Sequence, residues 1–158
     1  ASLEASQYYA HPRNAFWPIL ESVLGISRSL SYSERLELLK ERRIALWDVL
    51  GTCARAGSLD SNIEPSSIIP NDFASFFAVY PFIGTVFFNG AKAEMVYRRE
   101  VLPNLAEPAR SLKLVRLPST SPAHAGMTFG KKREAWEALG RVLEENVSQG
   151  YYERWSDD

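Results

Sequence analysis

A chain of 158 residues, 46% apolar and 23% charged, can bury one sizeable core and does not have the composition of a disordered segment. Its net charge of −1 argues against a protein that wraps long stretches of nucleic acid, yet leaves room for contacts to a few phosphates. No apolar run approaches the ~20 residues of a membrane helix, no basic-then-apolar signal segment is present, and the single cysteine, Cys53, excludes an internal disulfide and a cysteine-based metal cluster.

In chain order, the stretch "YYAHPRNAFW" (8–17) comes first. It places two tyrosines, a histidine, an arginine and an asparagine ahead of an apolar stripe made by Phe16, Ile19, Leu20, Val23 and Leu24. Spacings of three and four predict a helix, stopped by Gly25. Asn14 is placed to cap it, and Pro18 falls near the first turn, where a missing N–H costs little. Ser31-Tyr32-Ser33-Glu34 is a capping box for a second helix through "RLELLKER". "IALWDV" (44–49) reads as a buried strand. Residues 51–72 are rich in Gly, Ser, Pro and Asn and read as a long loop. Asn71 or Asp72 then caps a helix, "FASFFAVY", closed by Pro81.

"IGTVFF" (83–88) is the clearest strand; the chain turns at Asn89-Gly90 and continues as a helix. "SLKLVRL" (111–117) is another strand, and residues 118–130 form a second long loop. A last helix over about 131–147 aligns Trp136, Leu139, Leu143 and Val147. The basic clusters "KERR" (40–43), "RR" (98–99) and "KKR" (131–133) read as solvated helix faces. This order is that of an α/β protein with a mainly parallel sheet. Ligands of such sheets sit beyond the carboxyl ends of the strands, which selects the loops after residues 49, 88 and 117.

Two histidines and no G-x-S-x-G elbow make a Ser-His-acid hydrolase a poor fit. Two histidines and one cysteine are too few for a recognisable zinc site, and no Walker or dinucleotide loop occurs. "FNGAK" offers backbone N–H groups and Lys92 to a phosphate, although Asn-Gly is first of all a turn.

The segments "YYAHPRNAFW", "VFFNGAKA" and "LPSTSPAHA" resemble, in order and spacing, three signature segments of the uracil-DNA glycosylase superfamily. Within it the sequence is most similar to the hypoxanthine-DNA (deoxyinosine) glycosylases, with the mismatch-specific uracil/thymine glycosylases next. The resemblance implies a monofunctional enzyme of base excision repair. Such an enzyme flips a damaged base out of double-stranded DNA and hydrolyses its bond to deoxyribose, leaving an abasic site. It needs no metal and no cofactor, and works by placing water and stabilising the departing anion. A monomer in the cytoplasm of a bacterium or archaeon is the accompanying expectation.

Residue by residue, the resemblance makes Asn14 the catalytic carboxamide, positioning water or the base edge, because an amide is no strong base. Tyr9 matches the aromatic that stacks on the flipped base, and His11 lines the pocket or pins the loop. Asn89 contacts the base and Gly90 the phosphate through backbone groups, while Arg13 and Lys92 reach phosphates. Ser119, Ser121, Pro122, Ala123 and His124 match the loop that wedges into the minor groove, with Ser119 and His124 as base contacts. Asp48, at a strand end, serves the site or a turn. Each of these has an ordinary alternative: a cap for Asn14, a core ring for Tyr9, solvated positions for Arg13 and His124. Phe16 and Trp17 read as core.

Relatives begin with a strand and a Gly-Ser-x-Pro-Gly loop, followed by a segment like "ASLE", with which this sequence starts. The expectation is therefore a single domain over 1–158 that lacks roughly 20 N-terminal residues, one strand with its flanking loops. The full fold would be a three-layer α/β/α domain with a four-stranded sheet of order 2-1-3-4. A non-catalytic DNA-damage-binding domain and a nucleotide-binding domain unrelated to DNA remain open readings.

Overall fold

The structure is a computed structural model that describes residues 13–47, 50–52, 69–124 and 126–148. Tyr9, His11, Asp48 and Cys53 lie outside the described residues. The described parts of 1–45 and 116–158 form one compact unit, and those of 46–115 form another.

In the first unit, helix α1 spans Phe16–Leu24 and buries Phe16, Trp17, Ile19, Leu20 and Leu24. Burying one such side chain stabilises by about 1.5–3 kcal/mol, so this face, more than helix propensity, holds α1 in place. Gly25 ends the helix in the left-handed region at φ 75°, its N–H donating to the Glu21 carbonyl. Helix α2, Tyr32–Glu41, carries the expected reciprocal cap: the Ser31 hydroxyl accepts from Glu34 N–H while Ser31 N–H donates to the Glu34 carboxylate. The hydrogen bond from Ser31 N–H, with a smaller contribution from the Ser31 side chain, holds the Glu34 carboxyl below its usual pKa. Trp17 links the two helices. Its ring meets Tyr32 edge-on at 6.1 Å, and the Arg35 guanidinium lies 4.4 Å over it.

Helix α5, Phe129–Ser148, completes this unit. Its buried Trp136 packs edge-on against Phe16 at 5.8 Å, and Arg133 Nε donates to Ser22 Oγ on α1. Trp136 and Leu139 of the expected stripe are buried.

In the second unit, strand β1 (Leu50–Thr52) pairs antiparallel with β2 (Ile69–Pro70) through an irregular register. Helix α3, Phe73–Val79, follows a cap in which the Asp72 carboxylate accepts from the N–H and hydroxyl of Ser75. Strand β3 (Thr85–Asn89) leads into helix α4 (Ala91–Val96), continued by a π-helical turn at Tyr97–Val101 and a 3₁₀ turn at Leu102–Asn104. Strand β4, Lys113–Leu117, pairs with β3. Lys113 N–H donates to the Gly84 carbonyl just before β3, so the two strands start side by side and run parallel. The helical crossover between them is the connection parallel strands require. The core here is an aromatic cluster of Phe73, Phe77, Phe88 and Tyr97 with Val101 and Leu105. The Tyr97 hydroxyl is buried and has no hydrogen-bond partner among the described residues.

The α/β class expected from the sequence stands, with three corrections of detail. Residues 44–47 are not strand; the strand of that region is Leu50–Thr52. A run of apolar and aromatic side chains does not by itself choose a strand, and Trp47 packs its ring on Phe73 and Phe76 instead. The stretch 51–72 is not loop throughout, since its two ends pair as β1 and β2. Among the described residues the strands form two separate pairs, β1–β2 and β3–β4. No described helix is long and apolar enough to cross a membrane.

Candidate active site

Asn14 precedes α1 at a half-buried position, and its Oδ1 accepts the N–H of Phe16 at 2.9 Å. The cap position itself is Ala15, one residue later than the sequence pattern suggests. Asn14 still satisfies one of the first N–H groups of α1, because its side chain reaches forward over Ala15. The bond uses one lone pair of the carboxamide oxygen and fixes the side chain. A second lone pair and two N–H donors remain to the group, the inventory needed to hold a water or a base edge.

Ala15 connects this segment to the next. Its N–H donates to the Thr120 carbonyl at 2.9 Å. Thr120 is 1% exposed and sits in the loop after β4, between Ser119 and Ser121. One backbone bond therefore brings the first and third sequence motifs together. The loop is braced from α5 as well: Trp136 Nε1 donates to the Pro118 carbonyl at 2.9 Å, and Lys132 Nζ to the Ser121 carbonyl at 3.5 Å. Inside the loop, Ser121 N–H donates to Ser119 Oγ, Ala123 N–H to Ser121 Oγ, and His124 N–H to the Ser121 carbonyl. These are turn-making bonds of serine, and they tie up its side chains locally. Ser119 and Ser121 are half-buried, whereas Pro122, Ala123 and His124 are exposed. The result is a short, hydrogen-bonded loop with an exposed tip.

Arg13 is exposed beside Asn14. Asn89, Gly90 and Lys92 belong to the second unit. Gly90 is buried with φ 99° and ψ 166°, a conformation open to glycine and costly for any side chain, which explains the residue there. Lys92 is exposed on α4, and Asn89 is half-buried at the end of β3. Sequence reasoning missed Thr120, Trp136 Nε1 and Lys132. The clue to Lys132 was its position: it lies four residues before Trp136, on the buried stripe of α5, and so is not the solvated cation expected of "KKR".

Two of the sequence motifs follow the parallel strands β3 and β4, and similarity to known proteins identifies the chain as a member of the uracil-DNA glycosylase superfamily. A solution NMR structure from Methanosarcina acetivorans, assigned as a uracil DNA glycosylase, superposes with a TM-score of 0.71 at 34% identity, covering 90% of this chain and 83% of that one. A hypoxanthine DNA glycosylase of M. acetivorans is 37% identical over 142 residues, 89% of this chain and 83% of the relative. One of M. barkeri is 40% identical over 93 residues, 58% of each chain. No family model matches the chain. At this identity and coverage the chain belongs to the hypoxanthine DNA glycosylase family.

Proposed function

We propose that the chain is a monofunctional DNA glycosylase of base excision repair that removes a deaminated base, hypoxanthine first, from double-stranded DNA. The observation that carries the reading is the Ala15–Thr120 bond, which joins the segment bearing Asn14 to a braced loop with an exposed tip. The base swings out of the stack while the 121–124 tip fills the gap it leaves. Asn14 holds water in line with the sugar carbon. The glycosidic C–N bond breaks with its electron pair leaving on the base, the water oxygen bonds to that carbon, and a water proton ends on the base. Tyr9 stacks on the flipped base and His11 lines the pocket or pins the loop. Asn89, Ser119 and His124 contact the base, and Arg13, Gly90, Lys92, Ser121, Pro122 and Ala123 contact the DNA.

The proposal includes one glycosylase domain over 1–158, a monomer acting in the cytoplasm, and a three-layer α/β/α arrangement with sheet order 2-1-3-4. The names of the Methanosarcina relatives favour hypoxanthine. The likeness to a protein assigned as a uracil DNA glycosylase supports uracil as a second substrate; mismatched thymine is a third, from the sequence resemblance alone. The test is incubation with duplexes carrying deoxyinosine, deoxyuridine or a G:T mismatch, followed by alkaline cleavage at abasic sites. Scission fastest at deoxyinosine is the expected result. Intact strands with all three duplexes would overturn the reading.

A further inference from the structure

Lys132 differs from the other cations of its cluster. Lys131 is exposed and Arg133 pairs with Glu137 at 3.1 Å, but Lys132 is 5% exposed. It lies in the first turn of α5, where no acidic residue is present. The N-terminal end of a helix carries partial positive charge and repels a cation. Burying a lysine side chain also costs rotamer freedom. Against these costs, the one hydrogen bond its ammonium makes among the described residues is to the Ser121 carbonyl, at 3.5 Å. A residue opposed on both counts serves something other than helix stability.

Its surroundings say what that is. Lys132 and Trp136 are one turn apart on the same face of α5 and donate to Ser121 and Pro118, on either side of Thr120. The Thr120 carbonyl in turn receives the Ala15 N–H. The wedge loop is held at three successive points, and Lys132 holds the one nearest its tip. We infer that Lys132 is a positioning residue for base flipping. It fixes the Ser121 carbonyl so that the 121–124 tip keeps its shape when pressed into a duplex. Lys132 does not touch DNA. The inference rests on the glycosylase reading.

A wedge matters only where a base must be pulled from a paired stack; a single strand offers its base without one. Lys132→Met should therefore lower single-turnover base release from a deoxyinosine duplex by about tenfold or more, and from a single-stranded deoxyinosine oligonucleotide by less than about twofold. Lys132→Arg, which keeps the charged donor, should restore the duplex rate. Equal losses on both substrates, or no loss on the duplex, would overturn the inference. If circular dichroism shows Lys132→Met unfolded, Lys132→Gln, too short to reach Ser121, gives the same duplex-to-single-strand ratio. A parent chain that releases no base from either substrate overturns the glycosylase reading and the inference with it. An active parent with an unchanged ratio in the variant overturns the inference alone.

Discussion

The loop at 118–124 and the aromatic cluster around Tyr97 meet opposite demands. The loop exposes a polar backbone and still has to keep one shape, so three donors from separate positions, Ala15, Lys132 and Trp136, hold its carbonyls. The cluster has only to fill space. Its rings meet at centroid distances of 5.1 Å for Phe88–Tyr97 and 5.8 Å for Phe73–Tyr97, and it tolerates a buried hydroxyl with no partner among the described residues. On the proposed reading, directional bonds are concentrated where shape serves chemistry, and apolar contact where it serves stability. Mutations in the two regions should accordingly separate folding from turnover.

The largest expected effect lies in the cluster. Phe88 is 3% exposed, and Phe88→Ala should cost about 3–5 kcal/mol of unfolding free energy in urea titrations. A small loss there would mean that the cluster is not the core of its unit. Next comes Asn14→Ala, which removes the carboxamide but leaves the buried face of α1 intact. Base release should fall about 100-fold or more while duplex binding, measured by fluorescence anisotropy, persists. Unchanged turnover would take Asn14 out of the mechanism and erase the functional side of the contrast.

The smallest effect sharpens the other side. Tyr97→Phe deletes a hydroxyl that has no partner among the described residues and should leave stability unchanged or raise it by about 1 kcal/mol. Burial also pushes the Tyr97 phenol above its usual pKa of 10.0. The unfolded chain then ionises before the folded one, so the stability linked to this group is intact below that pH and fades as pH rises toward the raised value. Melting curves across the alkaline range should show a flatter decline for Tyr97→Phe than for the parent. A destabilised variant would reveal a partner for the hydroxyl.

Much of this arrangement was legible in the sequence, for reasons that differ by element. Helix α1 was legible because five apolar residues repeat at helical spacing and a glycine ends the run. The Ser31–Glu34 box was legible because both halves of the cap are local. The described part of the strand placed at 44–49, residues 44–47, was not, because a short apolar run suits a strand or a packed loop equally, and contacts of Trp47 with α3 decide it. Asn14 was legible as a helix-end residue, but its offset from the cap depends on where the Ala15 N–H finds its acceptor, more than a hundred positions away. Lys132 was hidden for the same reason: whether a lysine on a helix stripe is solvated or buried depends on what lies over it, and here that is a distant loop.

The link from Ala15 to Thr120 has a kinetic meaning on the proposed reading. Penetration of the double helix and readiness for hydrolysis are thereby coupled, since a shift of either segment strains the bond to the other. Sound DNA, whose well-paired bases resist intrusion, would leave the carboxamide misaligned. Fidelity would then come partly from this short mechanical tether rather than wholly from the shape of the cavity that receives the base.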